Sequence, residues 1–191
     1  MPKKAGNLKE TMKDLKREGQ EARLVFSQIA KDFQVVYPNF TLERVSNWVN
    51  QAQIARPHFW VYLRQEEAVS DPMFAFRLYE NATEFGISVE VSIIERKRDE
   101  ESLAKQARIL EVAPIMGTYY QYVENDASIK LPATEENRQL LKKRLENGDL
   151  RKVLIKTDIP LCEGLDTQEL INQLHNGVDL LRPYYEATRI N

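Results

Sequence analysis

Within His58–Lys97, HFWVYLRQEEAVSDPMFAFRLYENATEFGISVEVSIIERK, three runs of alternating character follow one another, separated by polar or turn-forming residues. Successive side chains of a strand point to opposite faces, so each run divides into two sets. Phe59, Val61 and Leu63 oppose Trp60, Tyr62 and Arg64; Phe74, Phe76 and Leu78 oppose Met73, Ala75, Arg77 and Tyr79. The third run sets Ile87, Val89, Val91 and Ile93 against Ser88, Glu90 and Ser92. The pattern predicts an antiparallel three-stranded meander over about 58–97, with a short turn at Asn81–Glu84.

Putting the apolar sets on one face fixes the register. Phe76 then lies opposite Val89, Leu78 opposite Ile87 and Phe74 opposite Val91. Arg77 falls opposite Ser88 and diagonal to Glu90. The second face carries Trp60, Tyr62, Arg64, Arg77, Tyr79, Ser88 and Glu90. It is too polar for a second core and too aromatic for plain solvent surface.

Outward from the meander, residues 7–34 read as a helix with Leu8, Met12, Leu15, Ala22, Phe26, Ile29 and Phe33 at helical spacing, interrupted at Gly19. Thr41 is an expected N-cap for a second helix bearing Leu42, Val45, Trp48, Val49 and Ala52, closed at Arg56-Pro57. A helix over about 99–112, capped by Asp99, turns Leu103, Ala107 and Leu110 inward. Thr118–Glu124 is a fourth strand and Asn125–Pro132 a loop. Thr134 caps a further helix, with Glu135 and Glu136 in its first turn and Gly148 past its end. Lys152–Ile159 is a fifth strand, and the last helix is expected to break or kink at Pro183. This order predicts one α+β domain over 1–191, its meander extended by one or two strands into a mixed sheet with helices mainly on one face.

The composition narrows the function. The charge of −2, on 27 basic and 29 acidic residues, lacks the basic excess of a dedicated nucleic-acid binder. Residues 1–24 carry seven Lys or Arg against four Asp or Glu, but interleaved as on a solvated helix. No apolar run approaches the roughly 20 residues that span a bilayer, and the first residues show no apolar signal core. The single cysteine, Cys162, precludes an intramolecular disulfide and fits a reducing cytoplasm. One cysteine and two histidines, His58 and His175, in different elements do not make a thiolate or imidazole metal site.

One motif points to enzymatic chemistry. The third strand ends in Ile93-Ile94-Glu95-Arg96-Lys97, and Asp71 stands at the start of the strand before it. A Glu-x-Lys ending a hairpin strand, with an acid ahead of it, resembles the PD-(D/E)xK nucleases, and the order α-β-β-β-α-β from Thr41 to Glu124 is similar to that family's core. The resemblance implies Asp71 and Glu95 holding a divalent metal such as Mg²⁺, with Lys97 orienting the attacking water. The dipeptide is Asp71-Pro72, the reverse of the family's order, and the register turns Asp71 away from Glu95 unless a bulge intervenes at Ile93-Ile94.

The aromatic and charged face supports a binding function without catalysis. Trp, Tyr and Arg are enriched at interface hot spots. They also make stacking platforms for single-stranded nucleic acid, but Glu66, Glu67, Glu80, Glu84 and Glu90 crowd this region and would repel phosphate. A protein partner or self-association is therefore the favoured expectation. The alternative is that the terminal helices cover the face and Arg77 and Glu90 form an internal pair. Tyr119, Tyr120, Tyr122, Tyr184 and Tyr185 read equally well as pocket lining and as core margin.

Overall fold

The computed structural model describes residues 10–47, 59–65, 72–81, 83–93 and 100–189, with side chains from 17 onward in the first helix. The meander forms as the alternation dictates. β2 (Trp60–Arg64), β3 (Met73–Glu80) and β4 (Phe85–Ser92) pair antiparallel. Phe76 meets Val89, Leu78 meets Ile87, Phe74 meets Val91 and Arg77 meets Ser88, the register that the apolar pattern requires.

Four more strands extend it. β1 (Thr41–Leu42) pairs with β2 at one edge, while β5 (Tyr119–Glu124), β6 (Ala127–Pro132) and β7 (Val153–Pro160) build the other side. The strand order is β1-β2-β3-β4-β7-β5-β6. Every pairing is antiparallel, so the sheet is not mixed. The reason is topological. After α2 (Glu100–Ala107) the chain does not return to the meander as a parallel crossover; β5 pairs with β6 and β7, and β7 docks antiparallel on β4.

α1 (Glu10–Val36) and α4 (Thr167–Arg189) pack on the apolar face. Phe26, Ala30 and Phe33 of α1 are buried, and the Phe33 ring meets Phe76 edge-on at 4.9 Å. Gly19 does not interrupt α1, and α4 runs through Pro183 unbroken. At Gly177 α4 lies tight against the sheet, where a Cβ would lie 2.9 Å from Val89 Cγ2. α2 continues into a 3-10 turn (Arg108–Glu111) that turns Ser102, Gln106, Ile109 and Leu110 inward, a face rotated from the expected Leu103 and Ala107. α3 (Glu135–Glu146) starts at Thr134, whose hydroxyl accepts from the Asn137 N–H at 3.2 Å, and ends before Gly148 at φ 77°.

Two segments take a secondary structure other than the expected one. Thr41 does not cap a helix; Thr41 and Leu42 extend along β2, and the Glu43 and Ser46 amides continue the contact to the Tyr62 and Trp60 carbonyls, each at 2.9 Å. Long-range pairing overrides the local helical pattern there; the rest of that expected helix, from Trp48, lies outside the described residues. Residues 125–132 are not a loop. Asn125 and Asp126, at φ 49° and 62°, make a two-residue turn and β6 follows.

Candidate functional site

Trp60, Tyr62, Arg64, Arg77, Tyr79, Ser88 and Glu90 share the sheet face opposite the helices, because the strand register leaves them no other. β7 adds Lys156 opposite Glu90 and Asp158 opposite Ser88; β5 adds Tyr119 opposite Lys156. Trp60, Tyr62, Arg64, Arg77 and Tyr79 are half-buried, while Ser88, Glu90 and Lys156 are sealed.

Glu90 has no exposed surface and is held from both sides. From β3, Arg77 donates through Nη2 to Oε1 at 2.6 Å and through Nε to Oε2 at 3.0 Å. From β7, Lys156 Nζ lies 2.6 Å from Oε2. The Arg77 guanidinium also stands over the Trp60 ring, 5.1 Å from its centroid. Burial opposes the charged carboxylate, but Lys156 and Arg77 outweigh it and lower the Glu90 pKa to about 2. Burial in turn pushes the Lys156 ammonium below its ordinary value, against the pull of Glu90.

A second cluster adjoins the first. Asp158 accepts from the Tyr119 hydroxyl at 2.7 Å and from Lys130 Nζ at 3.0 Å. The Lys130 ammonium sits 4.6 Å from the Tyr119 ring centroid and 5.1 Å from that of Tyr79. Burial first, and the Asp158 charge next, raise both phenols well above the ordinary tyrosine range. At the β1 edge, Arg64 Nε donates to Glu43 Oε1 at 2.7 Å.

This chemistry suits recognition. Tyr119 stays protonated and donates to Asp158, and Glu90 has both oxygens engaged by cations, which leaves it unsuited to proton transfer. Among the described residues there is no group of three His, Cys, Asp or Glu side chains placed to hold a metal ion. Asp71, Glu95 and Lys97 lie outside the described residues, as do His58, Glu66, Glu67 and Asp99. Cys162 is exposed after β7, and His175 stacks on Tyr37 at 3.8 Å and pairs with Asp179 at 3.3 Å. Tyr120, Tyr122, Tyr184 and Tyr185 are core side chains on the helix-covered side, separated from Tyr119 by the sheet.

Sequence reasoning placed Arg77 beside Glu90 but missed Lys156, Asp158 and Lys130, and it grouped Tyr119 with tyrosines that lie on the helix-covered side. The alternation of Lys152, Leu154, Lys156 and Asp158 against Val153, Ile155, Thr157 and Ile159 was a usable signal for the first two. Nothing local says that β7 lies beside β4. Lys130 sat in a segment read as loop.

No protein-family model matches this chain, and a comparison with curated protein sequences gives no match. Among solved structures, a conserved hypothetical protein from Pyrococcus furiosus is similar at 12% sequence identity and a TM-score of 0.42, over 84% of this chain and 89% of that one.

Proposed function

We propose that the protein acts by binding and not by catalysis, as an interaction or regulatory module whose contact surface is Trp60, Tyr62, Arg64, Arg77 and Tyr79, and whose partner is a protein or a second copy of itself. The observation that carries the reading is the sealed Glu90 carboxylate, which clamps Arg77 beneath the half-buried Trp60. Aromatic and guanidinium groups held in place lose little rotamer freedom on binding, which is the economy of interface anchors. Glu43, Glu84 and Asp158 beside them disfavour a phosphate backbone. No helix among the described residues is long and apolar enough to cross a membrane. The single cysteine supports placing the module in a reducing cytoplasm.

The test compares native protein with Trp60→Ala and with a Leu24→Ser control on the exposed side of α1. Sedimentation over a concentration series reads self-association, and quantitative affinity capture reads other partners. A hot-spot tryptophan is worth about 2 kcal/mol or more, so Trp60→Ala should weaken the association roughly 30-fold while the control leaves it intact. Equal association by a folded Trp60→Ala variant refutes the surface. Plasmid nicking that needs Mg²⁺ or Mn²⁺ and disappears with Glu95→Ala would replace this reading with the metal-dependent nuclease.

A further inference from the structure

Beyond Lys156 the same sheet face changes character. Lys152 stands just before β7, β7 turns Leu154 toward this face, and β5 places Gln121 opposite Leu154, with Val123 two residues on. Gln121, Tyr122, Val123, Arg151, Lys152 and Leu154 line a recess of about 430 Å³. Small-molecule sites typically measure ~300–1,000 Å³, so the space suffices for a compact ligand.

The lining pairs two unlike features. Its apolar part is Leu154, half-buried, beside Val123, which is 66% exposed. One exposed valine is unremarkable alone. Here it adjoins Lys152, with the exposed Arg151 at the rim, and no acid lines it among the described residues. Lys152 is half-buried, and its Nζ donates to the Ile93 carbonyl at 3.0 Å. An ammonium has three donors, and a backbone carbonyl brings no countercharge. The carboxylate that acts on Lys152 electrostatically is Glu90, whose oxygens are bonded to Arg77 and Lys156. Burial pushes the Lys152 ammonium below its ordinary value and Arg151 adds to the push, against the pull of Glu90. Among the described residues no carboxylate pairs with Lys152 directly; a half-buried cation so placed is costly, and an incoming anion relieves that cost.

We propose that this recess binds a small anion with an apolar body, its carboxylate or phosphate head on Lys152 and its hydrocarbon part against Leu154 and Val123. The site lies on β7 and β5, across β4 from Trp60 and Arg77. It therefore does not depend on the proposed protein-binding surface, and a Trp60→Ala variant should bind the same anion as well as native protein does.

Calorimetry on the full chain with octanoate, octyl phosphate, octanol, acetate and inorganic phosphate tests it, with backbone amide shifts of Val123 and Leu154 locating the site. The two octyl anions are expected to bind saturably and move both amides, and their ratio identifies the preferred head. Octanol, acetate and inorganic phosphate should each bind at least about tenfold more weakly, the range of one charge-assisted hydrogen bond. Lys152→Met keeps the aliphatic stem and should cost octanoate about tenfold while leaving octanol unchanged. Octanol binding as tightly as octanoate, inorganic phosphate matching octyl phosphate, or unmoved Val123 and Leu154 amides overturns the proposal. These comparisons use native protein and hold even if Lys152→Met does not fold.

Discussion

A carboxylate without exposed surface is tolerable at Glu90 because each oxygen meets a cation, from Arg77 on one strand and Lys156 on another. Removing the charge has an asymmetric effect. Arg77 keeps partial solvent access at 17% exposure, whereas Lys156, at 3%, would be left sealed with no other carboxylate paired to it among the described residues. Breaking a buried pair from one side costs about 3–5 kcal/mol, so Glu90→Gln should destabilise by that order. The check is a fall in the urea midpoint with an unchanged slope. Glu90→Leu combined with Lys156→Met should recover much of the loss, since apolar replacement of both partners is often nearly neutral. The Arg77–Glu90 half of this clamp was legible in the sequence, because two alternating strands joined by a short turn admit one register that buries both apolar sets. The Lys156 half was not. It depends on a strand more than sixty residues later in the chain choosing β4 as neighbour.

Elements with a strong, long period were legible for the same reason: α1, α4 and the meander each bury one stripe that no other local structure would bury, while α3, which buries Leu141 alone, was legible from its Thr134 cap and Gly148 end. Short elements escaped. β1 is two residues long and owes its conformation to β2, so the apolar spacing after Thr41 pointed to a helix that its partner strand forbids. β6 was hidden although Asn125-Asp126 is a turn signal, since the segment after it is only weakly apolar and mostly exposed. How closely elements approach was also unreadable, and Gly177 sets that distance for α4. An added Cβ would lie 2.9 Å from Val89 Cγ2 and 3.3 Å from both Ile159 Cδ1 and Thr157 Cγ2. Alanine gains about 1 kcal/mol of helix propensity, but overfilling a packed contact costs about 1–3 kcal/mol. Gly177→Ala should therefore lose about 1 kcal/mol and lower the melting temperature by roughly 2–4 °C. A variant that melts higher than native protein would show that α4 can lift from the sheet at little cost.

The two faces of the sheet divide the molecule's energetics. The helix-covered face is stabilised by apolar burial, which is insensitive to pH, while the other face keeps an ionised carboxylate out of water. Acid should therefore act through the second face. The Glu90 pKa falls from an ordinary 4.5 to about 2 in the folded protein. A lowered carboxylate pKa adds stability that is present in full above the unfolded value and is lost as pH falls through the folded one. The window is accordingly from about 4.5 down to about 2, and the contribution at neutral pH is on the order of 3 kcal/mol. Glu135 is lowered to about 2 as well, by its hydrogen bonds from Arg138 and Gln139, and titrates over the same range. Because Glu135 sits on α3, its share is common to native protein and the Glu90→Leu, Lys156→Met double variant, which also removes the lysine that Glu90→Gln would leave buried and titrating. The difference between their unfolding free energies, followed through a pH series in urea, isolates Glu90. That difference, native minus variant, should hold steady from neutrality to about pH 5 and fall steadily below it. Parallel curves down to the lowest pH would mean that the carboxylate is not clamped as its geometry requires, and the preorganised support beneath Trp60 would be lost with it.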